Sequence, residues 1–147
     1  MTGESRGSGV FASVKARRVL LVDDHVDSAE LLAEVLAAQG HEVRIAYDPA
    51  RAIKIGAELR PQVAILDISL PGMSGYELLA LLQPKPEFAE CRFIALTGHN
   101  ERADRVRSRE AGFQTHLTKP FDLRAVLNAV AGAAESTRSS SAGISRF

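Results

Sequence analysis

The sequence predicts an α/β fold, a doubly wound (βα)5 arrangement in which five parallel strands are flanked by helices. Short apolar runs alternate five times with segments of helical periodicity along the chain. Such runs, bounded by turn residues, are typical of strands that are buried on both faces of a parallel sheet. The 147 residues have a formal net charge of zero and 46% apolar side chains, which fits one domain of ordinary size. Right-handed crossover connections follow from this alternation.

The first unit pairs a strand at residues 18–22 with an amphipathic helix. Asp27, followed three residues later by Glu30, fits a capping box at the start of that helix. Gly40 is the residue expected at its end.

The second unit begins with the alternating strand Glu42 to Ala46. Asp48 and Pro49 then have the residue types of an N-cap and a first helical position, which predicts a helix through about Leu59.

The last three units continue the same pattern. Their predicted strands are Val63 to Asp67, Arg92 to Thr97 and Thr115 to Thr118, and their predicted helices are Ser74 to Leu82, Glu101 to Ala111, and a final one with an apolar stripe at Leu123, Val126, Leu127 and Val130.

Composition excludes several classes of protein. The single cysteine, Cys91, cannot form an internal disulfide, and no apolar run approaches the roughly 20 residues of a membrane span. We therefore expect a cytoplasmic protein. The balanced charge does not favour nucleic-acid binding, which normally requires a basic face. Residues 1–16 and the Ser-rich residues 136–147 are expected to be flexible tails around a domain at 17–135.

Carboxylates stand at the ends of two predicted strands. Asp67 closes an apolar run, and Asp23 and Asp24 follow the first strand directly. The carboxyl ends of parallel strands converge on the crevice where ligands bind. Three acids there would repel one another unless a cation neutralised them. A hard divalent ion, Mg²⁺ above all, is the expected partner.

Two more polar side chains end later strands, namely Thr97 and Lys119. Together with the three carboxylates they match the needs of phosphoryl transfer, which are a nucleophilic carboxylate, a metal, and donors for the phosphoryl oxygens.

Each of these residues also has an ordinary explanation. The pair Asp23 and Asp24 could cap the next helix, Asp67 could begin a turn, Thr97 could bond to backbone, and Lys119 could be solvated. Their joint occurrence at four strand ends favours a functional site. His25 and His41, by contrast, are expected on the surface.

The chain resembles the receiver domain of two-component response regulators over about Ala16 to Ala134. The motifs that carry the resemblance are Val22-Asp23-Asp24, the segment Leu66 to Gly75, Ala95-Leu96-Thr97-Gly98 and Lys119-Pro120-Phe121. The segment from Ala95 to Lys119 looks like receivers attached to hybrid histidine kinases. The resemblance implies a flavodoxin-like fold.

The resemblance implies a phosphoacceptor role for Asp67, which would attack the phosphohistidine of a partner. It also implies that Asp24 and Asp67 ligate Mg²⁺ directly, that Asp23 acts mainly through water, and that the backbone carbonyl of Ser69 completes the protein ligands.

The resemblance further implies a cis Lys119-Pro120 bond and an ion pair between Lys119 and Asp67 in the unmodified site. Thr97 would move its hydroxyl toward the phosphoryl group. His116 stands where receivers commonly have Tyr or Phe, so its ring could turn inward from solvent when Thr97 moves. It could equally be a half-exposed strand residue without a switching role.

A receiver of this kind catalyses its own phosphorylation and dephosphorylation without being a conventional enzyme. Its expected partners are a histidine kinase or histidine phosphotransfer protein and a downstream protein target, and it would be a monomer or a weak phosphorylation-dependent dimer. Since few residues follow the last helix, we expect a single-domain regulator that signals through its own surface, although an excised receiver is the alternative.

Other classes of protein remain open. A receiver-like interaction module that is never phosphorylated would keep the fold. A haloacid-dehalogenase-type phosphatase needs an acid two residues after the nucleophile, where this chain has Ser69. A flavodoxin-like nucleotide binder needs a phosphate-binding loop after the first strand, where this chain has Asp23-Asp24-His25.

Overall fold

The computed structural model describes residues 15–98, 102–120, 122–132 and 145–146. The strands are β1 (Arg18–Val22), β2 (Glu42–Ala46), β3 (Val63–Asp67), β4 (Arg92–Thr97), β5 (Thr115–Thr118) and β6 (Ser145–Arg146), and the helices are α1 (Val26–Ala38), α2 (Pro49–Leu59), α3 (Gly75–Leu82), α4 (Arg102–Ala111) and α5 (Leu123–Ala131), with a short 3-10 helix at Pro86–Phe88. No helix among these residues is both long and apolar enough to cross a membrane.

The strands form one sheet in the order β2-β1-β3-β4-β5-β6. The first five strands are parallel, which confirms the predicted fold class. The strand order reverses between β1 and β3, and such a switch point opens a crevice at the carboxyl ends of the strands. The acids predicted at those ends therefore lie at the mouth of this crevice.

Two apolar layers fix the sheet between its helices. On one face, α1 and α5 pack against Val19, Leu21 and Ile65. On the other, α2 and α3 pack against Leu20, Val22 and other side chains that point the opposite way. All five residues of β3 are buried, as expected of a central strand that is covered on both faces.

The helix starts agree with the sequence only in part. Asp48 caps α2 as predicted, since its side chain accepts a hydrogen bond from the Arg51 amide at 2.8 Å. The capping box predicted at Asp27 and Glu30 is wrong, because α1 begins at Val26 and His25 is the N-cap residue.

A capping box does occur at α3. The Ser74 hydroxyl accepts from the Glu77 amide at 3.2 Å, and the Glu77 carboxylate accepts from the Ser74 amide at 2.9 Å. These bonds fix the point where the chain leaves the loop after β3.

The prediction that His41 lies on the surface is wrong. Its ring is buried, and Nδ1 accepts a hydrogen bond from the Arg17 amide at 3.0 Å. Burial, together with the nearby Arg17 charge, lowers the pKa of His41. Cys91 is a free thiol, and burial raises its pKa to about 12.

Most of both predicted tails lies outside the described residues, which begin at 15 and omit 133–144. Ser145 and Arg146, however, pair antiparallel with His116 and Thr115 of β5. The prediction that residues 136–147 form a flexible tail stays a prediction. An edge strand such as β5 offers unpaired backbone groups that can accept another strand.

Gly75 is required where α3 approaches the end of β3. A Cβ at this position would lie 2.6 Å from the Asp67 carbonyl oxygen and 2.8 Å from the Ile68 Cα. Both neighbours are backbone atoms, so they cannot move aside as a flexible side chain could.

We expect Gly75→Ala to lower the free energy of unfolding by about 1–3 kcal/mol, because the backbone at the end of β3 must shift to make room. Urea unfolding measures this change. The control is Gly98→Ala, where an added Cβ meets nothing within 4 Å and stability should change by less than about 0.5 kcal/mol. Equal stability of the two variants would contradict the close approach.

Candidate functional site

The carboxyl ends of β1 and β3 bring the acids together. Val22 pairs with Leu66 in the register of these neighbouring strands, so the residues that follow, Asp23 and Asp67, lie side by side. Both side chains are only 2% exposed. Asp24, one residue further, is partly exposed. The structure thus groups the three carboxylates that the sequence predicted at one crevice.

Both oxygens of Asp67 accept hydrogen bonds. The Ser69 amide donates to Oδ1 at 2.8 Å, and the Lys119 ammonium donates to Oδ2 at 2.8 Å. A buried carboxylate is tolerated when it is paired and hydrogen-bonded in this way.

The end of β5 delivers Lys119 to the acids. The Lys119-Pro120 bond is cis, as expected, and the Lys119 amide donates to the Thr97 carbonyl at 2.7 Å. The Lys119 Nζ also lies 3.6 Å from Asp23 Oδ2. Burial alone would lower the pKa of Lys119, but the hydrogen bond and charge of Asp67, helped by Asp23, raise it.

Asp23 is the carboxylate of the cluster whose pKa is raised. Burial raises its pKa, and the charge of Asp67 adds to that effect. The hydrogen bond from the His25 amide and the charge of Lys119 oppose the rise without cancelling it. Burial is therefore the main effect that disfavours the charged form of Asp23.

The residues fit a divalent cation. Asp24 Oδ1 is shielded from solvent and has no hydrogen-bond partner. Among the described residues, one ligand atom each from Asp23, Asp24, His25 and Asp67 lies within 4.8 Å of the others. Carboxylate oxygens are the ligands that Mg²⁺ prefers. The Ser69 carbonyl as a further ligand stays a prediction.

The ring of His116 is already inside the protein. It is 1% exposed, and Nδ1 lies 3.2 Å from the Ser108 hydroxyl of α4. A half-exposed ring, or one that starts in solvent, does not match this arrangement. Thr97 is also buried, at the end of the neighbouring strand β4.

Sequence reasoning missed two residues that extend this contact. The Ser108 hydroxyl also lies 3.3 Å from the Tyr76 hydroxyl of α3, and Ser108 is fully buried. One sequence signal existed, because Ser108 is the only uncharged polar residue between Arg102 and Ala111.

The structure thus places an acid pocket and a lysine at the carboxyl edge of five parallel strands. The family model for the response regulator receiver domain matches residues 19–131, which is most of the chain. The chain belongs to this family.

Solved structures agree on the fold. The chain is similar to the chemotaxis response regulator CheY4 of Vibrio cholerae, with TM-score 0.72, 24% identity, and coverage of 78% of this chain and 96% of that one. A CheY-like receiver domain protein from Methanospirillum hungatei matches with TM-score 0.69 and 28% identity over 81% and 94% of the two chains.

A third similar structure is a response regulator from Burkholderia pseudomallei, solved with a phosphorylated aspartic acid, a calcium ion and citrate. It matches with TM-score 0.70 and 27% identity over 82% of this chain and 71% of that one.

We expect Asp23→Asn to raise the melting temperature of the protein in chelator at neutral pH, because the buried charge is removed. The pKa of Asp23 is raised in the folded state, so the unfolded chain releases its proton at lower pH. Wild type should therefore lose stability relative to the variant as pH rises through that interval, and the difference should then stay constant.

Thermal denaturation across pH measures this difference, at about 2–4 °C for each kcal/mol in a chain of this size. The matched control is Asp48→Asn, which keeps a good N-cap but removes the charge of a partly exposed carboxylate, so it should not raise the melting temperature. A variant at Asp23 that melts below wild type at neutral pH would show that its charge stabilises the fold.

Proposed function

We propose that the chain is a phosphorelay receiver that accepts a phosphoryl group on Asp67 from the phosphohistidine of a histidine kinase or histidine phosphotransfer protein. One observation carries the proposal. Asp67 is a buried carboxylate at a strand end, held between an amide and an ammonium group, with two more carboxylates within reach of one cation. The phosphorylated aspartic acid in the Burkholderia pseudomallei relative supports it.

In the transfer, a carboxylate oxygen of Asp67 attacks the phosphorus atom. The phosphorus–nitrogen bond to the imidazole breaks, the nitrogen keeps the electron pair, and an acyl phosphate forms. An ionised carboxylate has no proton to lose, so no general base is required. Such a transfer depends on alignment and on neutralising charge.

The chain's own residues supply most of that alignment. The Ser69 amide holds Asp67 Oδ1, which leaves the oxygen facing Lys119 as the one whose partner can change. Lys119 would then donate to a phosphoryl oxygen, and Thr97 would donate its hydroxyl to another. Asp24 and Asp67, with Asp23 acting mainly through water, would hold Mg²⁺, which supplies the remaining positive charge when bound.

The chain lacks a residue that the alternative enzyme class, a dehalogenase-type phosphatase, requires. Ser69 is exposed and cannot act as the general acid of a dehalogenase-type phosphatase. A receiver-like module without phosphorylation has no need for the complete acid, lysine and threonine set. We therefore retain the proposal that Asp67 accepts the phosphoryl group.

We expect incubation with Mg²⁺ and acetyl phosphate to add one phosphoryl group per chain. Asp67→Asn should abolish the mass increase, because an amide is not a nucleophile at phosphorus, while circular dichroism should show an unchanged fold. Intact-mass spectrometry measures the product, and a parallel reaction in chelator tests the metal requirement. Persistence of the mass increase in the Asn variant would place the phosphoryl group elsewhere.

The signal is proposed to leave the site through Thr97 and His116. Thr97 and Ala95 lie on one face of β4, since side chains alternate along a strand, and Ala95 pairs with His116. The side chains of Thr97 and His116 are thus diagonal neighbours on the sheet. A movement of Thr97 toward phosphate would change the packing around the buried ring.

Polar side-chain contacts lead from His116 to helices α4 and α3. Ser108 joins the ring to α4, and the Tyr76 hydroxyl joins Ser108 to α3. The Arg107 guanidinium lies 4.2 Å from the centre of the Tyr76 ring, which adds a cation–π contact on the outer side. We propose that α4, β5 and α5 form the surface that a downstream protein or a second copy binds.

We expect Ser108→Ala to lower the free energy of unfolding by about 1–3 kcal/mol, because the buried Nδ1 of His116 and the Tyr76 hydroxyl lose this partner. The variant should still bind beryllofluoride, a mimic of the acyl phosphate. Amide NMR shifts that beryllofluoride induces in α4 should be smaller than in wild type.

The matched control is Ser28→Ala on the exposed side of α1, which should leave both stability and the α4 shifts unchanged. Thr97→Ala should reduce the same α4 shifts from the other end of the path. Full α4 shifts in Ser108→Ala would rule out this route for the signal.

A further inference from the structure

The imidazole of His25 lies at the mouth of the acid pocket. Its Nδ1 is 3.2 Å from Asp23 Oδ1 and 3.5 Å from Asp24 Oδ1. The side chain is 64% exposed, so the ring has room to turn. Because His25 is among the four residues whose ligand atoms lie within 4.8 Å of one another, the cluster offers a nitrogen donor as well as oxygens.

Helix capping does not explain this position. His25 is the N-cap residue of α1, but its side chain makes no capping hydrogen bond. The backbone amide of His25 already donates to Asp23 Oδ1 at 3.0 Å, so the ring is a second donor to an oxygen that has one. The neighbouring oxygen, Asp24 Oδ1, is shielded and has no hydrogen-bond partner.

The donor set bears on which ion is bound. Mg²⁺ is bound through carboxylates and keeps several waters, so it gains little from an imidazole. Co²⁺, Ni²⁺ and Zn²⁺ accept imidazole nitrogen readily and bind mixed nitrogen and oxygen sites more tightly. A ring that faces two of the carboxylates would therefore raise the affinity for the second class of ion selectively.

We propose that His25 is a metal ligand of this pocket and binds through Nδ1, so that the pocket takes first-row divalent transition ions as well as Mg²⁺. With Mg²⁺ the ring keeps its hydrogen bond to Asp23. The inference rests on the proposed function, because it concerns the same cation site.

The test is calorimetric titration of the untagged full chain with Co²⁺ alone and, separately, with Mg²⁺ alone. His25→Asn keeps a residue that is favoured at an N-cap. It should lower the Co²⁺ affinity on the order of tenfold or more and change the Mg²⁺ affinity by less than about twofold, because Mg²⁺ does not use the ring.

Asp67→Asn is the control for location, since it should weaken both ions if they share the pocket. A second readout is the electron paramagnetic resonance spectrum of bound Cu²⁺. Splitting from an imidazole nitrogen should be present in wild type and lost in His25→Asn.

Two results would overturn the inference. An equal loss of Co²⁺ and Mg²⁺ affinity in His25→Asn would mean that the ring only positions the carboxylates. Unchanged Co²⁺ binding with nitrogen splitting retained would mean that the ring is not a ligand. Failure of the proposed function is a separate result, namely no mass increase of the wild type with Mg²⁺ and acetyl phosphate.

Discussion

The ion pair between Lys119 and Asp67 is the interaction on which the site depends. Two carboxylates, each 2% exposed, end adjacent strands, and buried like charges are unfavourable without a partner. Lys119 supplies that partner from the end of β5, at 2.8 Å from Asp67 and 3.6 Å from Asp23. Its amide is anchored to β4 through the Thr97 carbonyl. Strands β1, β3, β4 and β5 are therefore linked at their carboxyl ends by one cation and its backbone.

Sequence periodicity was sufficient for the fold because the local and the tertiary preferences agree. The β3 run is apolar and is buried on both faces, and Asp48 with Pro49 starts α2 as their conformational preferences require. The start of α1 was missed because of a local turn. Asp27 and Glu30 fit a capping pattern, but the helix begins at Val26, as the turn after Asp23 brings the His25 amide to that carboxylate.

The carboxylates of the site were predictable because parallel strands must end at the same edge of a sheet. Contacts between helices were not predictable from the sequence. Nothing in the sequence pairs Tyr76 of α3 with Ser108 of α4, which are 32 positions apart. The surface prediction for His41 was wrong for a similar reason. Its ring is buried, and it accepts a hydrogen bond from the amide of Arg17, which is distant in the sequence. Polar residues that satisfy tertiary partners resemble surface residues in the sequence.

Under the proposed function, the balance of charge at the acids would connect phosphorylation of Asp67 to the surface around α4. The Lys119 ammonium lies 2.8 Å from Asp67 and 3.6 Å from Asp23, so it interacts with both buried acids. In the proposed transfer, a phosphoryl group would add further negative charge, so the positive groups would have to be redistributed. The Ser69 amide holds one oxygen of Asp67, and in the proposed transfer Lys119 would be the donor that turns to the new group. The Lys119 backbone bonds to Thr97, whose strand pairs with that of His116. Under the proposed function, redistribution of charge at the acids would thus act first on the two strands that lead to α4.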